Sequence, residues 1–286
     1  TGLGSGFFID ADGHIVTNNH VISGASEINV TMKDGAKLSA KLIGADTRTD
    51  LALLKVDREK PFPFVTWGDS DKAEVGDWIV AVGNPFGLDH TVTTGIISAR
   101  GRSIGAGPYD DFLQIDAPIN KGNSGGPAFG LDGRVLGVNT AIFSPTGGSV
   151  GIGFAIPANL ARNVIDQLKG GGSVKRGWLG VAIQTVTKDI AEGVGLKEAY
   201  GAIVSAVTTG GPADSAGLQV GDVILEVDDK KIDDMPELPR LIAAIPPNKT
   251  ARIKIWRDSQ SRVVNVKLGV LPDEKTLAES AKSSAT

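Results

Sequence analysis

Over residues 6–156 the chain is cut into short apolar stretches by turns, with no helical periodicity between them. Residues 6–9 and 15–17 flank Asp12-Gly13, residues 28–32 and 36–43 flank Asp34-Gly35, and residues 127–129 and 135–140 flank Asp132-Gly133. Asp-Gly between apolar runs is a strong hairpin signal, because the tightest hairpin turns need positive φ at both central residues. Residues 51–56, 78–82, 91–98, 112–116 and 153–156 read as further strands. Strands at this density, without helices between them, predict an antiparallel sandwich or a pair of barrels. The 38 glycines and the low aromatic content of 5% suit short strands joined by tight turns.

The pattern changes at Pro157. Leu160, Val164 and Leu168 recur every four residues and Gly170 follows, which predicts an amphipathic helix with a proline start and a glycine stop. Gly170-Gly171-Gly172-Ser173 reads as a flexible connector. The organisation expected is a β-rich domain over 1–169, a linker over 170–176, a second domain over 177–271 and a polar tail or linker over 272–286. In the second domain, strands are predicted at 179–186, 202–207, 223–227, 251–256 and 263–268. A short helix is predicted from Pro212 to Gly217 and another from Pro236 to Ile245, with Leu238, Leu241, Ile242 and Ile245 on one face. This second domain is therefore α+β.

Composition narrows the function classes. A net charge of -4 without a long basic run argues against a nucleic-acid partner. No apolar run approaches the roughly 20 residues that span a bilayer. The opening residues show no signal-peptide pattern, so the chain reads as a mature or trimmed product. The absence of cysteine excludes disulfides, a cysteine nucleophile and cysteine-based zinc sites. Neither a cofactor nor a metal ion is expected.

One stretch carries chemistry: Gly122-Asn123-Ser124-Gly125-Gly126-Pro127. A serine hydroxyl is a poor nucleophile until a base takes its proton and donors stabilise the oxyanion. Flanking glycines let the backbone turn tightly and aim consecutive N–H groups into one concavity. By itself the stretch is equally a glycine-rich hairpin turn. A base near neutral pH would be histidine, and the chain offers His14, His20 and His90. His14 follows a turn and His90 reads as a loop residue, whereas His20 closes an apolar strand at a place that can edge a cleft. The orienting carboxylate would be Asp50, set directly before the apolar run 51–56 and therefore in need of a partner. Asp46, nearby, reads as a turn residue.

Taken together, Thr17-Asn18-Asn19-His20-Val21, Asp50-Leu51-Ala52-Leu53-Leu54-Lys55-Val56, the Gly122–Pro127 stretch and Gly151-Ile152-Gly153-Phe154-Ala155-Ile156-Pro157 resemble the trypsin-like serine proteases in order and spacing. The resemblance is much closer to the HtrA/Deg branch and covers nearly all of the chain. It implies a mostly β protein, a trypsin-like double antiparallel β-barrel followed by an α+β PDZ domain. His20 is then the general base, Asp50 its orienter and Ser124 the nucleophile. The oxyanion hole spans Gly122, Asn123 and Ser124, with the N–H groups of Gly122 and Ser124 as donors. The specificity pocket maps to Ile119, Ile142 and Ile152, an apolar slot that predicts cleavage after Val, Ile, Ala or Leu. Asn123 stands where digestive relatives carry an aspartate, so activity is expected to be gated by loop ordering, with residues 101–111 as the sensor loop.

In the second domain, Arg176-Gly177-Trp178-Leu179-Gly180-Val181 resembles a PDZ carboxylate-binding loop, and Gly211-Pro212-Ala213 with Gly221-Asp222-Val223-Ile224 forms the other typical block. The family resemblance implies an ATP-independent endopeptidase that degrades misfolded envelope proteins and binds C-terminal peptides. Its expected place is the bacterial periplasm rather than a mitochondrion or plastid, and its expected assembly a homotrimer or a multiple of trimers. The alternatives are a chaperone or peptide-binding module, and a regulatory protease with one signalling substrate. Relatives carry an N-terminal helix, a first barrel strand and a long loop before Gly4, and many carry a second PDZ domain. The expectation is that such segments are missing from this chain rather than lost from the fold.

Overall fold

The computed structural model describes residues 2–87, 90–145 and 147–273, so most of the expected tail lies outside the described residues. Two compact units divide between Val174 and Lys175. The first contains two antiparallel layers. β1 (Phe7–Phe8), β2 (His14–Thr17), β3 (Ile28–Thr31), β4 (Lys37–Asp46) and β5 (Leu51–Val56) form a five-stranded sheet ordered β1-β2-β5-β4-β3. β6 (Trp78–Gly83), β7 (Thr91–Arg102), β8 (Phe112–Ile115), β9 (Pro127–Phe129), β10 (Val135–Ile142) and β11 (Gly153–Pro157) close a barrel.

The central strand β5 is apolar at nearly every position because both of its faces are covered. Leu51 and Leu53 join Val16, Val138, Phe154 and Ile156 in one core, while Ala52, Leu54 and Val56 join Ile15 and Phe62 in another. The first of these cores fuses the open sheet to the barrel. A one-turn helix α1 (Asn19–Ile22) follows β2, where sequence periodicity indicated only a strand end. Helix α2 (Ala158–Gly171) buries Ala161, Val164, Ile165 and Leu168 in the shared core. Each large aliphatic side chain buried there contributes about 1.5–3 kcal/mol.

Two local expectations are corrected. The helix takes in the first two glycines of the expected connector and ends at Gly172, which is left-handed at φ 69. In the three Asp-Gly hairpins only the glycine has positive φ. Asp34 and Asp132 instead accept from the N–H groups of Ala36 and Arg134, each at 3.0 Å, so the aspartates act as side-chain turn acceptors rather than as left-handed residues.

The second unit holds one curved sheet. β13 (Val181–Thr185), β14 (Ala202–Val207), β15 (Val223–Val227), β17 (Thr250–Arg257) and β18 (Gln260–Lys267) follow one another in space. β16 (Lys230–Lys231) pairs with β15, and β12 (Gly177–Trp178) pairs with β19 (Gly269–Val270). The expected strand over 179–186 is shortened to β13, which starts only at Val181 because Gly180 turns left-handed at φ 81. α4 (Pro212–Ser215) and α5 (Glu237–Ala244) pack on one core with Leu179, Val204, Ile224 and Ile253. A short helix α3 (Lys188–Gly193), not foreseen, fills a satellite core with Val223, Leu225 and Trp256.

Candidate active site

Neighbouring strands bring His20 and Asp50 together. β2 and β5 pair antiparallel with Thr17 opposite Ala52, so the residues just beyond those ends meet. His20 Nδ1 lies 2.6 Å from Asp50 Oδ2, and the His20 main-chain N–H donates to Asp50 Oδ1 at 2.8 Å. The hydrogen bond to Asp50, helped by its charge, holds the imidazole above its ordinary pKa of 6.5 against the cost of desolvation. Asp50 has φ 55, a conformation that costs a non-glycine residue about 1–3 kcal/mol. It is held there through its carbonyl, which accepts from Asn18 Nδ2 at 2.8 Å and from the Asn19 N–H at 3.1 Å.

Thr140 ties the carboxylate to the serine. Its Oγ1 donates to Asp50 Oδ2 at 2.7 Å, and its carbonyl accepts from Ser124 Oγ at 3.1 Å. Among the described residues no hydrogen bond joins Ser124 to His20. Catalytic bonds of this kind often tighten only once substrate is bound.

The loop around Ser124 turns its carbonyls outward. Lys121 O accepts from the Phe86 N–H at 2.9 Å, and Asn123 O from the Gly126 N–H at 3.0 Å. Gly122 O accepts from Ser5 Oγ at 2.7 Å, and Ser124 O from the Ser5 N–H at 2.8 Å. The N–H groups of Gly122 and Ser124 have no acceptor among the described residues. The Asn123 N–H, included in the expected oxyanion hole, is instead bonded to Asn120 O at 3.0 Å. Gly122 and Gly125 have φ 107 and 86, and a Cβ at either would lie 2.2 Å from a backbone oxygen, of Asn84 and Ser5 respectively. Those two positions admit only glycine, which accounts for the motif physically.

The other candidates stand apart. His14 Nδ1 is 2.8 Å from Asp10 Oδ2, which Lys169 Nζ also reaches at 2.7 Å, and His90 is exposed. Asp46 accepts from the Thr49 N–H at 3.1 Å, a turn role. Asp10, Asp12 and His14 offer atoms within 4.8 Å of one another and form the metal-compatible group among the described residues, although both oxygens of Asp10 are already hydrogen-bonded. Ile119 is buried in the barrel core and Ile142 packs on the same cluster, whereas Ile152 packs against the core shared with the open sheet. The sequence reading assigned no role to Ser5, Asn18 or Thr140, whose side chains bond to Gly122 O, Asp50 O and Asp50 Oδ2. Asn18, fully buried here, stands inside the Thr17–Val21 stretch that carries the resemblance, and that placement is the one sequence signal for any of them.

In the second unit the loop 176–181 repeats the same backbone logic. Leu179 O accepts from the Ala213 N–H and Gly180 O from the Thr208 N–H, each at 2.9 Å. The N–H groups of Leu179 and Gly180 have no acceptor among the described residues. A Cβ on Gly177 would lie 2.5 Å from Ile245 O, so the loop sits hard against the end of α5. Arg176 is buried, and its carbonyl accepts from the Leu271 N–H at 2.9 Å. Among the described residues β13, which starts at Val181, pairs only with β14, so its other edge is open.

Residues 4–138 match the trypsin-like peptidase domain and residues 177–268 the PDZ domain. A solved structure described as the HtrA-type protease AlgW with decapeptide is 45% identical, with a TM-score of 0.82 over 95% of this chain and 83% of that one. The chain belongs to the HtrA-type protease family. The solved serine endoprotease from Yersinia pestis is 37% identical, with a TM-score of 0.70 over 94% of this chain and 89% of that one. The protein of Rhizobium meliloti (strain 1021) named "Probable periplasmic serine endoprotease DegP-like" is 57% identical over 271 residues, covering 95% of this chain and 54% of the relative. The like-named protein of Bartonella henselae is 54% identical over 282 residues, covering 99% and 56%. The chain spans about half the length of the curated relatives it matches.

Proposed function

We propose that this chain is the catalytic and peptide-binding part of an ATP-independent serine endopeptidase that degrades misfolded or damaged proteins of the cell envelope. The observation that carries this reading is the His20–Asp50 contact beside two free N–H donors on the Ser124 loop. Asp50 occupies Nδ1, which leaves Nε2 to take the Ser124 proton as Oγ attacks the scissile carbonyl. The N–H groups of Gly122 and Ser124 receive the oxyanion, and each such donor is worth about 10²–10³ in turnover. His20 then protonates the leaving amine, and water repeats the sequence on the acyl-enzyme. Asp50 keeps the imidazole oriented throughout and stabilises the imidazolium.

Ile119, Ile142 and Ile152 supply no charge, which supports cleavage after Val, Ile, Ala or Leu. The free N–H groups of Leu179 and Gly180 suit a terminal carboxylate, with the peptide adding to the β13 edge. Residues 101–111 are the sensor loop in this reading. Asp110 organises them by accepting from the Ile104 and Ala106 N–H groups at 2.8 and 2.9 Å, and a Cβ on Gly107 would lie 3.3 Å from Arg48 O, two residues before Asp50. The names of the relatives support a periplasmic location, and homotrimers or their multiples are the assembly we propose.

Digestion of unfolded casein tests the reading, with Ser124→Ala as control. Cleavage of several unfolded proteins after aliphatic residues, lost in the variant, is expected. Unfolded protein bound but never cut would favour the chaperone alternative. A strong preference for cleavage after Lys or Arg would overturn the pocket assignment.

A further inference from the structure

Ser5 takes no part in the proton transfers, yet its hydroxyl and its main-chain N–H both bond to carbonyls of the catalytic loop. Its Oγ donates to Gly122 O at 2.7 Å and accepts from the Asn84 N–H at 2.9 Å. Its N–H donates to Ser124 O at 2.8 Å, and its carbonyl accepts from Thr17 Oγ1 at 2.7 Å. We infer that Ser5 is a positioning residue for the oxyanion hole, acting through its hydroxyl. The inference rests on the proposed peptidase reading and names a part of that site.

Gly122, at φ 107, can rotate where other residues cannot. If the Gly122 carbonyl swung inward, the neighbouring peptide groups would turn with it and an oxygen would compete for the concavity the oxyanion needs. The Ser5 hydroxyl holds that carbonyl outward. Through the Asn84 N–H the same oxygen also anchors the segment that delivers the Phe86 N–H to Lys121 O at 2.9 Å, the bond that aims the Gly122 N–H. The chain has no cysteine, so no disulfide can brace this loop. A hydroxyl that accepts from one segment and donates to the other serves as a non-covalent staple between them. The fit is close: a Cβ on Gly126 would lie 3.2 Å from Ser5 Cβ.

The test is Ser5→Ala in the whole chain. It is assayed on a peptide substrate, and for inhibition by a peptidyl aldehyde against the matching peptidyl alcohol. The aldehyde forms an oxyanion on adding Ser124; the alcohol only occupies the subsites. The expected result is a kcat lowered by about 10–10²-fold, below the loss of a donor outright, with KM unchanged. Aldehyde inhibition should weaken by the same factor and alcohol binding should hold. Ser5→Gly, which also lacks the hydroxyl, should reproduce the split. An unchanged kcat in both variants, or aldehyde and alcohol weakened equally, would overturn the inference. Failure of the wild-type chain to hydrolyse peptide through Ser124 would instead sink the peptidase reading, so the two failures are distinct.

Discussion

Replacing Arg257 by methionine tests how the peptide-binding unit is braced. Arg257 Nε donates to Asp222 Oδ1 at 2.5 Å, and Nη2 donates to Asp222 Oδ2 at 2.6 Å and to Gly217 O at 2.8 Å. Asp222 is 1% exposed, and among the described residues its only other side-chain bond is from the Gln219 N–H at 2.8 Å. The Asp222 carbonyl accepts from the Val204 N–H at 2.8 Å, so the pair braces β14, the strand that carries β13. Methionine keeps the apolar stem and leaves a buried carboxylate with one donor. Removing one partner of a buried pair costs about 3–5 kcal/mol. Because the Arg257 side chain is 18% exposed, water reaches its end and the lower figure applies. At about 4–8 °C per kcal/mol for a unit of this size, the melting transition of residues 175–286 should fall by about 12–24 °C. Scanning calorimetry on the whole chain reads this directly. Adding Asp222→Leu to the variant should recover part of the loss, because neither charge then remains buried. A fall under about 4 °C would refute the argument and rank the pair with ordinary surface bridges.

Three further outcomes follow from the catalytic geometry. The general base must be neutral, and Asp50 raises the His20 pKa, so kcat/KM should climb with pH through a midpoint above 6.5. Asp50→Asn should move that midpoint to lower pH, and a midpoint unmoved by the change would contradict the pairing. Thr140→Val removes one donor from the Asp50 carboxylate while keeping the shape, and steady-state kinetics should show kcat reduced by roughly 10-fold, at the scale of about 1.5 kcal/mol for a charge-assisted hydrogen bond. Gly125→Ala forces a Cβ to 2.2 Å from Ser5 O at φ 86. Hydrolysis should be abolished, and an active Gly125→Ala enzyme would show that the loop has another conformation.

The β-rich architecture was legible because short apolar runs, Asp-Gly turns and the Pro157 helix start are local signals. The site was legible where motif residues act through their own side chains, as His20, Asp50 and Ser124 do. It was opaque where one segment's side chain serves another's backbone. Ser5 reaches Gly122 across 117 residues and Thr140 reaches Asp50 across 90, separations that no periodicity encodes. Helix α1 was missed because a single turn has no amphipathic repeat, and its register is set by the His20 N–H bonding to Asp50. The left-handed Asp50 was missed for a related reason. Its conformation is imposed by Asn18 and Asn19, not by its own preference.

Reaction with a fluorophosphonate, mapped by mass spectrometry, reads the activation of Ser124 in one step, because phosphonylation needs an activated hydroxyl and an oxyanion hole together. One adduct is expected, on Ser124, formed in the native chain and lost in both the unfolded chain and His20→Ala. Labelling that lands on another serine, or that proceeds at the same rate without the His20 imidazole, would contradict it.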